Sequence, residues 1–271
     1  MRLIASGPVP LYGWPALGAA GVRVAATTRG GGVSQGRFAS LNLGFHVGDE
    51  DDAVLANRVR AAEAFGATLD DCVFAEQVAG TGVTRVGAAE RGRGARRRDT
   101  AIPATDALIT TDPGTVLAAM AADCMLITLV DPDAGVLALV HAGWPGTTAG
   151  IIPKAVAAMA ECGAKPVRTI AAIAPSVSAD TYQVGDDVAA AVRAALGERT
   201  GEALRPDGTG RHLFDLPAAA RIQLTDAGIA AERIHAAGLV TGPGTPFFSH
   251  RFEGPTGRFA VLAQLTGRAA A

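Results

Sequence analysis

Residues 121–150, AADCMLITLVDPDAGVLALVHAGWPGTTAG, narrow the fold more than any other stretch. Two apolar runs, Met125 to Val130 and Val136 to Val140, flank Asp131-Pro132-Asp133-Ala134-Gly135. Pro presets φ, Asp hydrogen-bonds its own backbone and Gly tolerates positive φ, so the five residues read as a turn and the whole as a β-hairpin. A turn centred between Pro132 and Asp133 sets Cys124 directly opposite His141. Opposed residues of an antiparallel pair have Cβ atoms about 4.5–5.5 Å apart. A thiolate and an imidazole at that spacing reach one zinc ion, at roughly 2.3 Å and 2.0–2.1 Å. A turn displaced by one residue would make the pair diagonal.

The hairpin runs on into Ala142-Gly143-Trp144-Pro145-Gly146-Thr147-Thr148, and then into Ile151 to Cys162, which has helical composition. Thr147 or Thr148 is expected to cap this helix and Gly163 to end it. A helix start reached through a glycine-rich turn offers free N–H groups to an anion. Gly146 and Thr147 are therefore candidate phosphate contacts beside the Cys124–His141 pair.

The chain of 271 residues is 49% hydrophobic and carries 34 glycines, which fits an α/β or α+β domain with a sizeable core. Its 24 lysines and arginines balance 26 aspartates and glutamates, so no nucleic-acid partner is expected. The N-terminal apolar segment is short and broken by Gly and Pro, so it is expected to be neither a secretory h-region nor a spanning helix. The three scattered cysteines, Cys72, Cys124 and Cys162, argue for a reducing cytoplasm rather than a disulfide framework.

In chain order, Gly21 to Thr28 reads as a strand, with Arg29 following directly at its end. That position is suited to a cleft arginine gripping phosphate or carboxylate. Residues 29–49 are too glycine-rich for a helix, but Phe38, Leu41, Leu43, Phe45 and Val47 anchor them as an ordered loop. A helix follows from Asp49 or Asp51 to Phe65, ended by Gly66. Val73 to Val78 and Val83 to Val86 read as strands, and the basic run Arg91 to Asp99 as a solvated loop. Strands over Asp106 to Thr111, Val116 to Ala121 and Arg168 to Ala174 follow, then helices over Val188 to Leu196 and from Asp215 to Ala227. Ile234 to Ala236, Phe247 to Arg251 and Phe259 to Leu265 close the chain as strands. No linker or repeat divides it, so residues 1–271 are expected to form one domain.

Several motifs together resemble a family variously called laccase-domain, multicopper polyphenol oxidase-like, peptidoglycan editing factor or purine nucleoside phosphorylase. They are TTRGGGVSQGRFASLNLGFHVGD (Thr27 to Asp49), Asn57-Arg58, EQVAG (Glu76 to Gly80), TDALIT (Thr105 to Thr110), ADC (Ala122 to Cys124) and HAGW (His141 to Trp144). APS with YQVG (Ala174 to Gly185), FFSHR (Phe247 to Arg251) and TGR (Thr256 to Arg258) complete the set. The resemblance implies an α+β single-domain sandwich of mixed β-sheets with outer helices, similar to the catalytic domain of cytotoxic necrotizing factors. It implies a metal site on Cys124 and His141, whose third ligand is the His of a Gln-Val-His-Gly motif. This chain has Ala79 there. HAGW is usually followed by Arg-Gly, where this chain has Pro145-Gly146, and Ser-x-Arg-Arg here reads Ser249-His250-Arg251-Phe252. Loss of two motif arginines alongside the histidine argues for natural divergence rather than an engineered change at position 79.

The activity so implied is zinc-dependent phosphorolysis and deamination of purine nucleosides such as adenosine. Cys124, His141, Arg29 and Asn42 would be the catalytic residues. Arg29, Gly146 and Thr147 would hold phosphate, Asn42 the ribose or base, and His46 and Arg251 would complete the substrate contacts. A space about one imidazole in size is expected beside Cys124 and His141. Copper-dependent phenol oxidation, which one of the family's names suggests, is the second reading; nitrogen and sulfur ligands would also suit a single adventitious copper. The five histidines, at 46, 141, 212, 235 and 250, contain no His-x-His pair, which tells against it. Hydrolytic editing of peptidoglycan precursors and a non-catalytic binder are the remaining alternatives. Oligomeric state is not legible.

Overall fold

The computed structural model describes residues 1–5, 7–18 and 20–266. Its strands fall into two six-stranded sheets and one three-stranded sheet. The first sheet runs β1 (Arg2–Ala5), β2 (Leu11–Gly13), β3 (Val22–Thr27), β15 (Phe259–Leu265), β7 (Val116–Ala121) and β4 (Cys72–Phe74). The second runs β14 (Ile234–Ala236), β10 (Ile170–Ile173), β8 (Met125–Asp131), β9 (Val136–Ala142), β6 (Ala107–Thr110) and β5 (Val83–Arg85). The third is β11 (Gln183–Gly185), β13 (Arg211–Phe214) and β12 (Leu204–Pro206). Both large sheets are mixed: β4 joins β7, β5 joins β6 and β14 joins β10 in parallel, and the other pairings are antiparallel. The helices are α1 (Pro15–Gly18), α2 (Asp51–Phe65), α3 (Trp144–Thr148), α4 (Ile151–Glu161), α5 (Asp186–Leu196), α6 (Leu216–Asp226) and α7 (His250–Glu253). None among the described residues is long and apolar enough to cross a membrane.

Period-two alternation explains the layering. Met125, Ile127 and Leu129 on β8, with Ala138 and Val140 on β9, pack against Ile152, Val156, Val192 and Leu224 of α4, α5 and α6. The intervening Leu126, Val130, Leu137 and Leu139 pack instead against Val24, Leu117 and Val261 of the first sheet. The far face of that sheet, with Ala118 and Leu262, is covered by Ala61, Ala62 and Phe65 of α2 and by Leu41 and Leu43. The result is helix, sheet, sheet, helix. Both hairpin strands are buried on two faces, which is why they read as nearly continuous apolar runs.

The hairpin register differs from the expectation. Met125 pairs with Ala142 and Leu126 with His141, so the turn centres one residue later than the sequence implied. Asp131 makes that turn: its Oδ1 accepts the N–H groups of Asp133 (3.1 Å) and Ala134 (3.2 Å), and Gly135 takes φ 62°. This fixes Cys124 one step beyond the ladder, diagonal to His141. A turn displaced by one residue moves the pairing by two, so both side chains keep the inter-sheet face.

Other boundaries also shift. The strand expected over Val73 to Val78 stops at Phe74, and Val78 is 53% exposed. Gln77 explains the early end: its side chain gives to Met120 O and takes from Met120 N, both at 2.8 Å, and so replaces the next backbone rung. Phe247 to Arg251 is no strand; Phe247 and Phe248 are buried and the helix α7 begins at His250. Thr147 and Thr148 lie inside the short helix α3, and the residue before α4 is Gly150 in the left-handed region at φ 85°. The basic run is not merely solvated, because Ala95 is fully buried and the Gly94 and Ala95 carbonyls accept from Arg58. Residues 29–49 are held as anticipated by apolar anchors, and also by Asn57. Its Nδ2 donates to Ser34 Oγ, Ser40 O and Asn42 O, while its Oδ1 takes the Val33 N–H.

Asp131 has no side-chain exposure and also accepts from Lys165 N–H (2.7 Å) and Arg168 Nη2 (2.7 Å). Burial would raise its pKa, but these donors outweigh it and hold the carboxyl below its ordinary value. Asp131→Asn should destabilise the fold by about 1.5–3 kcal/mol, read by urea denaturation, because a charge-accepting site for several donors is weakened. The depressed pKa gives the sign of the pH effect. The Asp131 contribution is present above the ordinary carboxylate range and is lost as pH falls below it, and Asp131→Asn should flatten that acid limb.

Candidate functional site

β6, β9 and the start of β8 bring three functional side chains into line. The carboxylate of Asp106, just before β6, accepts a hydrogen bond from His141 Nδ1 at 2.8 Å. The same carboxylate takes the N–H groups of Val78 (3.3 Å), Ala79 (3.0 Å) and Gly80 (2.8 Å), and its main-chain oxygen takes the His141 N–H at 2.7 Å. Burial works against the Asp106 charge, but the His141 and backbone donors prevail and its pKa is lowered. An ionised carboxylate only accepts, so His141 carries its proton on Nδ1 and turns Nε2 the other way. Cys124 lies close enough to act on the charge of the imidazole. Burial pulls the His141 pKa down, yet Asp106 and Cys124 together raise it to about 9.

Cys124 owes its place to two neighbours. A Cβ on Gly143 would meet Cys124 Sγ at 3.0 Å, so the glycine of HAGW makes room for the thiol. Asp123 sits at φ 98°, a costly conformation for a residue with a Cβ. Its carboxylate is tied by Thr241 Oγ1 (2.5 Å), Ser249 Oγ (2.6 Å) and the Arg251 N–H (2.6 Å).

Cys124 and His141 close one end of a cavity of about 310 Å³. Phe45, His46, Arg58, Gln77, Arg98 and Arg258 are among its other walls. It is much larger than one imidazole, and Ala79 is not part of its wall, so the small space expected beside the pair is not what the fold contains. His46 stands exposed at the mouth. Partial burial and the fields of Arg258, Arg98 and Arg58 lower its pKa.

The remaining expected site residues are elsewhere. Arg29 does not line the cavity: it pairs with Glu253 at 2.5 Å, donates to Ala39 O and lies 4.7 Å over the Phe248 ring. The structure thus places it on local partners, apart from Cys124 and His141. Asn42 is fully buried, bound to Asp49 and Gly44 and accepting the Arg258 N–H, so no ribose or base reaches it. Gly146 is a packing position, where a Cβ would lie 2.9 Å from Gly80 O. Thr147 is buried, with its N–H bonded to Gly143 O and its Oγ1 without a partner, and it does not line the cavity. Arg251 stacks over Tyr182 at 4.9 Å, beside the cavity rather than in its wall. Asp106, Asp123, Arg58 and Arg258 were missed as site residues, although TDALIT, ADC, Asn57-Arg58 and TGR contain them.

The residues present do not complete a family-type metal site. A catalytic zinc takes three protein ligands. Here one thiol and one imidazole converge, Ala79 has no donor, and among the described residues no three His, Cys, Asp or Glu side chains gather around one point.

A half-buried thiol beside a buried imidazole and carboxylate, at the end of a basic cavity on two packed mixed sheets, defines the class. The chain belongs to the multi-copper polyphenol oxidoreductase laccase family, whose pattern matches residues 23–266. Its relatives include the purine nucleoside phosphorylase YlmD of Geobacillus stearothermophilus, 38% identical over 256 residues and covering 92% of this chain and 93% of that protein. A purine nucleoside phosphorylase of Corynebacterium glutamicum is 39% identical over 244 residues, covering 90% and 94%. The crystal structure of YlmD from Geobacillus stearothermophilus superposes with a TM-score of 0.91 at 36% identity, covering 96% and 97%. The hypothetical protein YfiH of Bacillus licheniformis gives 0.91 at 33% identity, with the same coverage.

Ala79 shares Asp106 Oδ1 with His141, so position 79 lies two hydrogen bonds from the imidazole. Its φ of 56° is one that histidine adopts far more readily than most residues. Ala79→His should raise zinc affinity at least about 10-fold in a competition titration with a zinc chelator. Unchanged affinity would mean that the new imidazole cannot reach the pair.

Proposed function

We propose that this chain is a purine nucleoside phosphorylase acting in the cavity closed by Cys124 and His141. The observation that carries the reading is the His141 imidazole, held by Asp106 at the closed end of a cavity with three arginines in its walls. The names of the relatives at 38% and 39% identity support it.

Phosphorolysis needs an oxyanion, a glycosidic carbon and a proton for the departing base. A phosphate oxygen forms a bond to C1′ as the C1′–N9 bond breaks. The electron pair leaves with the purine, and the products are ribose 1-phosphate and free base. A pKa of about 9 leaves His141 protonated at neutral pH, so it is the donor to the leaving purine. Asp106 stays ionised and stabilises the imidazolium. Cys124 keeps the imidazole turned into the cavity. Phe45 and Phe74 offer apolar wall to a base. With alanine at position 79, the proposal is phosphorolysis without metal-assisted deamination, in one domain and with small-molecule partners only.

Adenosine and phosphate, incubated with purified protein of known metal content, should yield adenine and ribose 1-phosphate. Their absence at all pH values would overturn the reading. The rate should fall as pH rises through about 9, because His141 then loses the proton it donates. His141→Gln should lower kcat by about 100-fold or more and abolish that alkaline limb. A limb that survives in His141→Gln would assign the proton to another group.

A further inference from the structure

Two arginines of the sequence motifs, Arg58 and Arg258, have no role in the chemistry above, yet both line the cavity. Arg58 is 3% exposed. Its Nε donates to Leu43 O, its Nη1 to Gly94 O and Ala95 O, and its Nη2 meets Met120 Sδ. Its two faces are covered by the rings of Phe45 at 4.3 Å and Phe74 at 4.0 Å. Every one of these partners is neutral. Among the described residues no carboxylate stands within ion-pair distance of Arg58 or Arg258. A buried charge without a counter-ion is expensive unless something else supplies one.

Arg258 is built toward the same space. Its Nη1 donates to Thr256 O (2.8 Å) and Gly257 O (3.0 Å), and its Nε and Nη2 have no acceptor among the described residues. Asn42 Oδ1 takes both the Arg258 N–H and the Gly44 N–H at 2.9 Å, and so locks the two backbones together. A Cβ on Gly44 would lie 3.0 Å from Arg258 Cγ and 3.3 Å from His46 Cε1. Glycine at 44 therefore lets the guanidinium and the mouth imidazole crowd together. Of the cavity's walls, only Glu76 carries a carboxylate, and it faces Arg98 at 3.8 Å.

We propose that Arg258, with His46 at the mouth, forms an oxyanion subsite that takes inorganic phosphate, and that Arg58, whose own donors are held by the protein, adds positive charge behind it. The assignment rests on the phosphorolysis reading and moves the phosphate from Arg29 and the α3 start to the cavity wall that holds Arg258. The Nε and Nη2 of Arg258 present the forked N–H donors that match a tetrahedral oxyanion. The phosphate supplies a counter-charge in direct contact, where the fold gives Arg258 only the more distant Asp123 and Cys124. Asn42 and Gly44 act as positioning residues, which accounts for their place in the segment Leu41-Asn42-Leu43-Gly44-Phe45-His46.

Calorimetric titration with inorganic phosphate, adenosine and adenosine 5′-monophosphate tests this on wild type, Arg258→Gln and Gly44→Ala. Arg258→Gln should weaken phosphate binding at least about 10-fold and raise the phosphate KM alike, with the adenosine KM within about twofold. Gly44→Ala removes no charge, yet should weaken phosphate by displacing Arg258. Unchanged phosphate affinity in Arg258→Gln overturns the subsite. Turnover with an unchanged phosphate KM in that variant overturns the subsite and leaves phosphorolysis standing. Phosphate binding that is lost in Arg258→Gln, in a protein that forms no ribose 1-phosphate, keeps the subsite and overturns phosphorolysis. Binding of the monophosphate at least 10-fold tighter than phosphate, lost in Arg258→Gln, overturns the assignment to inorganic phosphate in favour of a nucleotide phosphate.

Discussion

The ionised carboxylate of Asp106 is the interaction on which the site depends. A buried carboxylate must be satisfied, and this one is satisfied from two directions: the backbone of residues 78–80 on one side and His141 on the other. Each hydrogen bond has a structural consequence. The backbone set bends the chain back after Gln77 and holds Ala79 in the left-handed region. The His141 bond fixes the ring's orientation through Nδ1. Loss of that charge would release a loop, a ring orientation and the proton held on the ring together.

The hairpin supplies the other half of the arrangement. Its two strands are buried on both faces, so any displacement by an odd number of residues would carry apolar side chains to the wrong layer. Displacement by two residues costs nothing in layering. Cys124 and His141 therefore still share a face even though they are diagonal. Beyond the ladder, the thiol is held by the absence of a side chain at Gly143 and by the strained backbone of Asp123. Asp123 ties Thr241, Ser249 and the start of α7 to the residue before Cys124, so one carboxylate fixes the wall behind the thiol.

The cavity is electrically one-sided. Asp106 and Asp123 lie behind its closed end, saturated by hydrogen bonds, while Arg58, Arg98 and Arg258 border its open volume. This division keeps His141 protonated and holds His46 below its ordinary pKa, although both are imidazoles of the same cavity. Two histidines with opposite shifts in one site suit a reaction that needs a proton donor at one end and an anion at the other.

The chain by itself determined the elements whose signals are local. Asp131 to Gly135 announced a turn, the apolar runs around it announced strands, Gly66 and Gly228 ended helices, and Asp215 capped α6 through the Ala218 N–H. The motifs also carried the family and placed Cys124 and His141 together. Register was not legible, because the choice between adjacent turn centres rests on which N–H groups Asp131 captures. The strand after Val73 was overread, because Gln77 replaces a backbone rung with side-chain bonds to a residue 43 positions away. Arg29 and Asn42 had the right chemistry for substrate, and only the tertiary structure showed it already spent on Glu253, Phe248, Asp49 and Arg258. Arg58 and Arg258 were ordinary motif letters until folding brought them to one wall without a carboxylate. Turns and periodicity are fixed by neighbours along the chain. Which polar group satisfies which is fixed by groups distant in sequence, and it follows only once the sheets have packed.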